Sequence, residues 1–254
     1  MGTQILAYVG AAGGVGTTRL AVECGATLAR TGRDVAVFDA AFETQGLAAH
    51  VRGGIDPDVT TLVTEEVPLD AALYDHAADL PGRLALCPAR APFERLARAK
   101  TAGAARQFER QLAAASLSYD VVLVDTPPLG TNQALAAVNA ADRIAVVTVD
   151  SRRGRDALAR TQERLDDVGA TADAVIANRS DGSLEAADGA VPTSDVRNPG
   201  DCPACVPPDE SFAPAVAAAA ERALGTELDV APDPLDLRRE HAEVAAADPV
   251  EALD

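Results

Sequence analysis

The chain has 254 residues, enough for one large α/β domain or two small ones. Apolar residues make up 48% and aromatics 3%, with no Trp, so the core is built from Ala, Val and Leu, which suits helices on both faces of a parallel sheet. A net charge of −17 argues against nucleic acid or anionic lipid as a broad contact surface, an argument that weakens in molar salt where charges are screened.

Ile5-Leu6-Ala7-Tyr8-Val9 is a short apolar run ending in glycines and reads as a buried strand. Residues 17–30 read as a helix with Leu20, Cys24 and Leu28 on one stripe and Gly32 as the stop. Val35-Ala36-Val37-Phe38 is a second strand ending at Asp39, so the first forty residues form a right-handed βαβ unit. Residues 51–79 carry Gly53, Gly54, Pro57 and Pro68 and read as irregular, with short helices. Residues 83–87 are a third strand, followed by helices at 93–100 and 104–115. Residues 119–125 form the clearest buried strand; a Pro-Pro turn, a helix near 133–139, a strand at 144–149 and a helix at 155–168 follow. Residues 174–177 are the last strand expected, 181–209 a long loop, and 213–224 a helix. The pattern predicts one doubly wound, mostly parallel α/β domain over 1–225 and an acidic, Pro-interrupted tail over 226–254.

The start lacks a signal-peptide pattern and no stretch reaches transmembrane length, so a cytoplasmic location is expected. The end is acidic and Ala-rich rather than basic and amphipathic, so no membrane anchor is expected there. Four cysteines in such a chain point away from a disulfide framework.

Between the first strand and the first helix lies Gly13-Gly14-Val15-Gly16-Thr17-Thr18. Glycines there let the backbone approach a phosphate and aim free N–H groups at it from a helix start. AAGGVGTTRLA, then VFDAAFETQG, YDVVLVDTPP and AVIANR, stand in the order of the motifs of the MinD/ParA family of deviant P-loop ATPases, which residues 1–225 resemble. The loop is most similar to the pilus-assembly and polar-localisation branch. The resemblance implies a P-loop NTPase fold, ATP and Mg²⁺ as cofactors, and a face-to-face homodimer serving an unidentified protein partner in positioning or partitioning. It implies that Gly13, Gly14, Val15, Gly16 and Thr17 cradle the phosphates, that Thr18 ligates Mg²⁺, and that Asp125 holds a magnesium-bound water. Asp39 matches the first acid of the switch region, Asn178 the reader of the adenine edge, and residues 206–209 the segment packed against the base.

The departures from the family pattern all concern charge. The lysine that reaches across the dimer falls on Ala12, the loop lysine on Thr17, and the second switch acid on Ala41. A charged hydrogen bond is worth about 1.5–3 kcal/mol, so losing the loop lysine weakens binding roughly tenfold to a hundredfold. Hydrolysis suffers more, since a cation at the transition state contributes about 10³–10⁵ in rate. Binding without efficient turnover is therefore expected, no residue being assigned as catalytic. Arg19 is the one candidate substitute, set against a solvated helix residue. Lys100, the only lysine among 22 basic residues, reads as remote from the loop.

Cys202-Pro203-Ala204-Cys205 supplies two metal ligands where four are needed, so a zinc or iron–sulfur site requires two copies of the chain; an unliganded turn or a redox pair are the alternatives. Cys24 and Cys87 read as core, and the arginines of 152–164, interleaved with acids, as a salt-paired face. The near-absence of lysine with abundant Asp resembles the cytoplasmic proteins of salt-in halophilic archaea, or the product of a GC-rich bacterial gene.

Overall fold

Each apolar run of the sequence becomes a strand buried on both faces. The computed structural model describes residues 3–206 and 211–229. In chain order it contains β1 (Gln4–Gly10), α1 (Thr17–Arg30), β2 (Val35–Asp39), a 3-10 turn (Gly46–His50), α2 (Val59–Thr64), a second 3-10 turn (Leu69–Ala72), β3 (Tyr74–His76), β4 (Leu84–Cys87), α3 (Phe93–Ala99) and α4 (Ala102–Ala115). Then come β5 (Val121–Thr126), α5 (Asn132–Ala140), β6 (Arg143–Val149), α6 (Arg152–Asp167), β7 (Ala174–Asn178), β8 (Gly189–Val191), a 3-10 turn (Pro199–Asp201) and α7 (Phe212–Leu224).

The strands form one sheet in the order β3-β4-β2-β5-β1-β6-β7-β8. All neighbours are parallel except β3, which runs antiparallel to β4. Alternation along β1 divides the core. Leu6 and Tyr8 face α1 and α7, whereas Ala7 and Val9 face α5 and α6. The other end of that second face packs α2 and α4 around Phe38, Phe42 and Phe108. These three rings are fully enclosed, each worth about 1.5–3 kcal/mol of transfer free energy. Cys24 and Cys87 are core residues, as expected.

Two strands were not legible in the sequence. β3 lies in the stretch expected to be irregular, and β8 within the expected long loop. Both have three residues and sit at sheet edges, too short for an alternating pattern to show. α6 also begins three residues early, because Ser151 accepts a hydrogen bond from the Gly154 N–H and caps it. Of the expected tail, residues 226–229 are described and Leu228 packs on the α7 side of the core; 230–254 lie outside the described residues.

The connections leave β1 toward β2 and β4 on one side, while β6, β7 and β8 lie on the other. The carboxyl end of β1 thus opens at the point where strand order reverses, which is where open α/β sheets bind ligands.

Candidate functional site

Gly10 ends β1 and Thr17 opens α1. Between them Gly14 (φ +79°) and Gly16 (φ +90°) turn the chain through left-handed backbone. Gly16 is the N-cap of α1 and, having no side chain, leaves the first-turn N–H groups uncapped. Those groups carry the positive end of the helix dipole, an arrangement suited to phosphate. A Cβ on Gly16 would collide with the Asn178 amide and come within 3.1 Å of Arg179 Nη2.

Asn178 and Arg179, at the end of β7, brace the loop. Asn178 Nδ2 donates to the Val15 carbonyl at 2.8 Å and Arg179 Nη1 to the Gly14 carbonyl at 3.2 Å. Asn178 Oδ1 accepts the Arg179 N–H at 3.0 Å, with Arg179 itself left-handed at φ +55°. The Asn178 amide keeps one N–H and one lone pair for a ligand edge.

Thr17, in the lysine slot, is buried with its hydroxyl turned back over the end of β1, where a Cβ on Gly10 would lie 2.8 Å from it. The site therefore carries a small neutral group where the family carries a cation. The Thr18 hydroxyl bonds the Asp125 carboxyl. Gly46 lies against it, with a Cβ there only 3.1 Å from Thr18 Oγ1.

Asp39 and Asp125 are register partners on β2 and β5, and both are enclosed. Asp39 accepts from the Ala41 N–H at 2.8 Å and the Ala89 N–H at 3.3 Å. Burial, then the charge of Asp125, pushes Asp39 up to about 8, the backbone donors pulling the other way. Burial pushes Asp125 up to about 6, opposed by the Thr18 bond. Asp125 Oδ2 is buried with no hydrogen-bond partner. Two crowded carboxyls, an orphaned oxygen and an adjacent hydroxyl are hard oxygen donors of the kind Mg²⁺ takes. Ala41 is buried nearby and contributes no second acid.

Arg19 is engaged elsewhere. Its Nε pairs with Glu23 at 2.5 Å, its Nη1 donates to the Val196 carbonyl at 3.0 Å and its Nη2 to Ser194 Oγ at 3.2 Å. The guanidinium lies over the Phe212 ring at 5.9 Å. It is neither turned to the loop nor merely solvated. Glu23 is fully enclosed in α1 and also accepts the Ala204 and Cys205 N–H groups, each at 2.9 Å. Arg19 and Glu23 thus hold the segment after β8 down across α1.

Both cysteines of the CPAC segment are buried. Cys205 Sγ lies 3.3 Å from the Glu23 carbonyl and Cys202 Sγ 3.4 Å from the Asn198 carbonyl. Burial pushes the Cys202 thiol up to about 11 and the Cys205 thiol well above its ordinary value, against thiolate formation. Among the described residues no group of three or more His, Cys, Asp or Glu side chains is placed to hold a metal ion. Of the segment expected against the base, Val206 packs on the core, and 207–209 lie outside the described residues.

Lys100 is less remote than the sequence suggested. It follows α3, and its ammonium pairs at 2.7 Å with Glu43, in the segment after Asp39, so its charge is committed there. On α6, Arg155 pairs with Asp150, which precedes the helix, and Arg164 donates to the Leu129 carbonyl rather than to an interleaved acid. No described helix is long and apolar enough to cross a membrane.

Sequence reasoning missed Glu23, which had a signal: an acid inside an apolar helical run, one turn after an arginine. His50 and the bracing role of Arg179 had none, because both depend on contacts between distant segments.

A glycine loop with an uncapped helix start, at the reversal point of a mostly parallel sheet, defines a P-loop NTPase fold. A profile of the AAA domain family matches residues 3–175, and the chain belongs to that family and, within it, to the MinD/ParA P-loop ATPases. Among solved structures it is similar to the septum site-determining protein MinD of Pyrococcus horikoshii with Mg-ADP, at 19% identity and a TM-score of 0.73, over 86% of this chain and 95% of that one. It is similar to the MinC:MinD cell division protein complex of Aquifex aeolicus (21%, TM-score 0.73, 91% and 99%). It also resembles a Cyanothece McdA variant in complex with ATP (20%, TM-score 0.70, 90% and 99%). No curated protein sequence matches it.

Proposed function

We propose that the chain binds ATP with Mg²⁺ at residues 13–18, turns it over slowly or not at all, and serves as a nucleotide-dependent homodimeric scaffold in cellular positioning or partitioning. One observation carries the reading. The backbone cradle and the Thr18–Asp125 pair are intact, while the lysine slot holds a buried, neutral Thr17. When bound, Mg²⁺ neutralises phosphate charge and orients the phosphate oxygens. Thr18 Oγ1 and the free Asp125 oxygen are the groups that would hold it directly or through water. The first-turn N–H groups bind phosphate, and Asn178 offers its remaining amide valences to the base edge. Nothing in the lysine slot supplies charge as the terminal phosphate leaves, which supports weak hydrolysis.

The Mg-ADP and ATP complexes of MinD and McdA support the choice of nucleotide, and the MinC:MinD complex supports a protein partner as the thing positioned. A slow partition ATPase is the second reading, favoured by the retained Asp39–Asp125 pair. A cysteine-bridged zinc or iron–sulfur dimer, the third, finds no support in thiols that are buried and held protonated.

The test is phosphate release at saturating Mg-ATP in molar KCl, the salt that suits so acidic a chain, beside a Thr18→Ala control. Equal rates mean no catalysis and sink the slow-ATPase reading. A wild-type rate a hundredfold above the control sinks the scaffold reading.

A further inference from the structure

A cavity of about 450 Å³ opens beside the first turn of α1. Arg19 on the helix, Asn178 and Arg179 at the end of β7, Ser194 after β8, and His50 and Pro199 are among the residues that line it. His50 is carried there by the 3-10 turn that begins at Gly46, the residue packed on Thr18. The imidazole is 3% exposed, and its Nδ1 is buried with no hydrogen-bond partner. A buried polar atom left unpaired is costly and rare, and a ligand that pairs it is a common resolution.

We propose that His50 reads the sugar of the bound nucleotide, its Nδ1 pairing with a ribose hydroxyl. The inference rests on the nucleotide reading above. With phosphates on the first turn of α1 and a base edge at Asn178, the sugar lies between them and faces the cavity wall that includes His50. The chemistry suits a hydroxyl. Burial, with the nearby His76 and Arg19 charges adding to it, lowers His50 to about 4, so it is neutral at physiological pH and offers no charge to a phosphate. A hydroxyl both donates and accepts, so it satisfies Nδ1 in either tautomer. Of the arginines in this wall, Arg19 is engaged by Glu23, Ser194 and Val196 and Arg179 by the Gly14 carbonyl, while Arg197 is the cation left to meet a charged group of the ligand. Of the residues lining this wall, His50 carries the buried polar atom that has no hydrogen-bond partner. No pattern in the sequence assigns it a role.

The experiment compares equilibrium binding of Mg-ATP, Mg-2′-deoxy-ATP and Mg-3′-deoxy-ATP in molar KCl. Wild type is expected to bind one of the deoxynucleotides about three- to tenfold more weakly than ATP, the worth of one neutral hydrogen bond. His50→Phe keeps the shape without the nitrogen and should reduce that ratio to within about twofold. His50→Asn, which restores a polar atom, should recover part of it. Wild type binding all three nucleotides equally overturns the proposal without need of any variant. So does an unchanged ratio in His50→Phe. If His50→Phe instead abolishes discrimination between ATP and ITP while the deoxy ratio persists, the residue reads the base and the sugar assignment is wrong. If wild type binds none of them, the nucleotide reading itself has failed.

Discussion

At the residue scale the site is defined by which valences are filled and which are open. Arg19 was the sequence's candidate for replacing the loop lysine, and its guanidinium is filled by Glu23, Ser194 and Val196. Asp125 keeps one oxygen open and His50 one nitrogen. His50 also makes a solution prediction with a definite sign. Its value falls from 6.5 to about 4 on folding, so between those values the native state binds fewer protons than the unfolded state. The stability it contributes is whole above pH 6.5 and is lost as pH falls toward 4, roughly 2–4 kcal/mol in all. Urea unfolding at pH 7.5 and pH 5 should show a smaller acid loss for His50→Asn than for wild type. Equal losses would place the acid sensitivity elsewhere.

At the element scale, α1 does two jobs. Its first turn faces the phosphate loop, and its second turn, through Glu23, fastens residues 194–205 across the helix. Glu23 is wholly buried and takes one side-chain and two backbone donors. Glu23→Ala leaves those donors unpaired at once, and breaking a buried pair costs about 3 kcal/mol or more. The midpoint of chemical unfolding should fall accordingly. Glu23→Gln, which keeps an acceptor, should lose less. A neutral Glu23→Ala would mean that the segment is held by its apolar contacts alone. This fastening also explains the CPAC segment. Its spacing raised the prospect of a metal site, but Glu23 binds the backbone of Ala204 and Cys205 and draws the Cys205 thiol into the core.

At the scale of the whole molecule, most of the architecture was legible because long apolar runs have only one destination in a parallel sheet. α1 falls at Thr17–Arg30, where its stripe and its stop glycine placed it, and β1, β2 and β5 were clear for the same reason. The three-residue edge strands β3 and β8 were not, since pairing rather than pattern makes them strands. The loop glycines, Thr18, Asp39, Asp125 and Asn178 were singled out through ordered motifs. Local sequence carries no information about what Arg19 touches, about Lys100 reaching Glu43, or about His50 entering a cavity beside residues more than a hundred positions away. Those contacts are products of the fold.

On the proposed reading, the phosphate loop still binds nucleotide but lacks the charge its family uses. The most direct measurement is the Mg-ATP affinity of wild type and Thr17→Lys, titrated calorimetrically side by side in molar KCl. Wild type is expected to bind measurably, and Thr17→Lys roughly ten- to a hundredfold more tightly, the worth of one charged hydrogen bond. Equal affinities would show that the missing lysine is not what limits the site. Wild-type binding weaker than about 10 mM would show that the cradle holds no nucleotide at all.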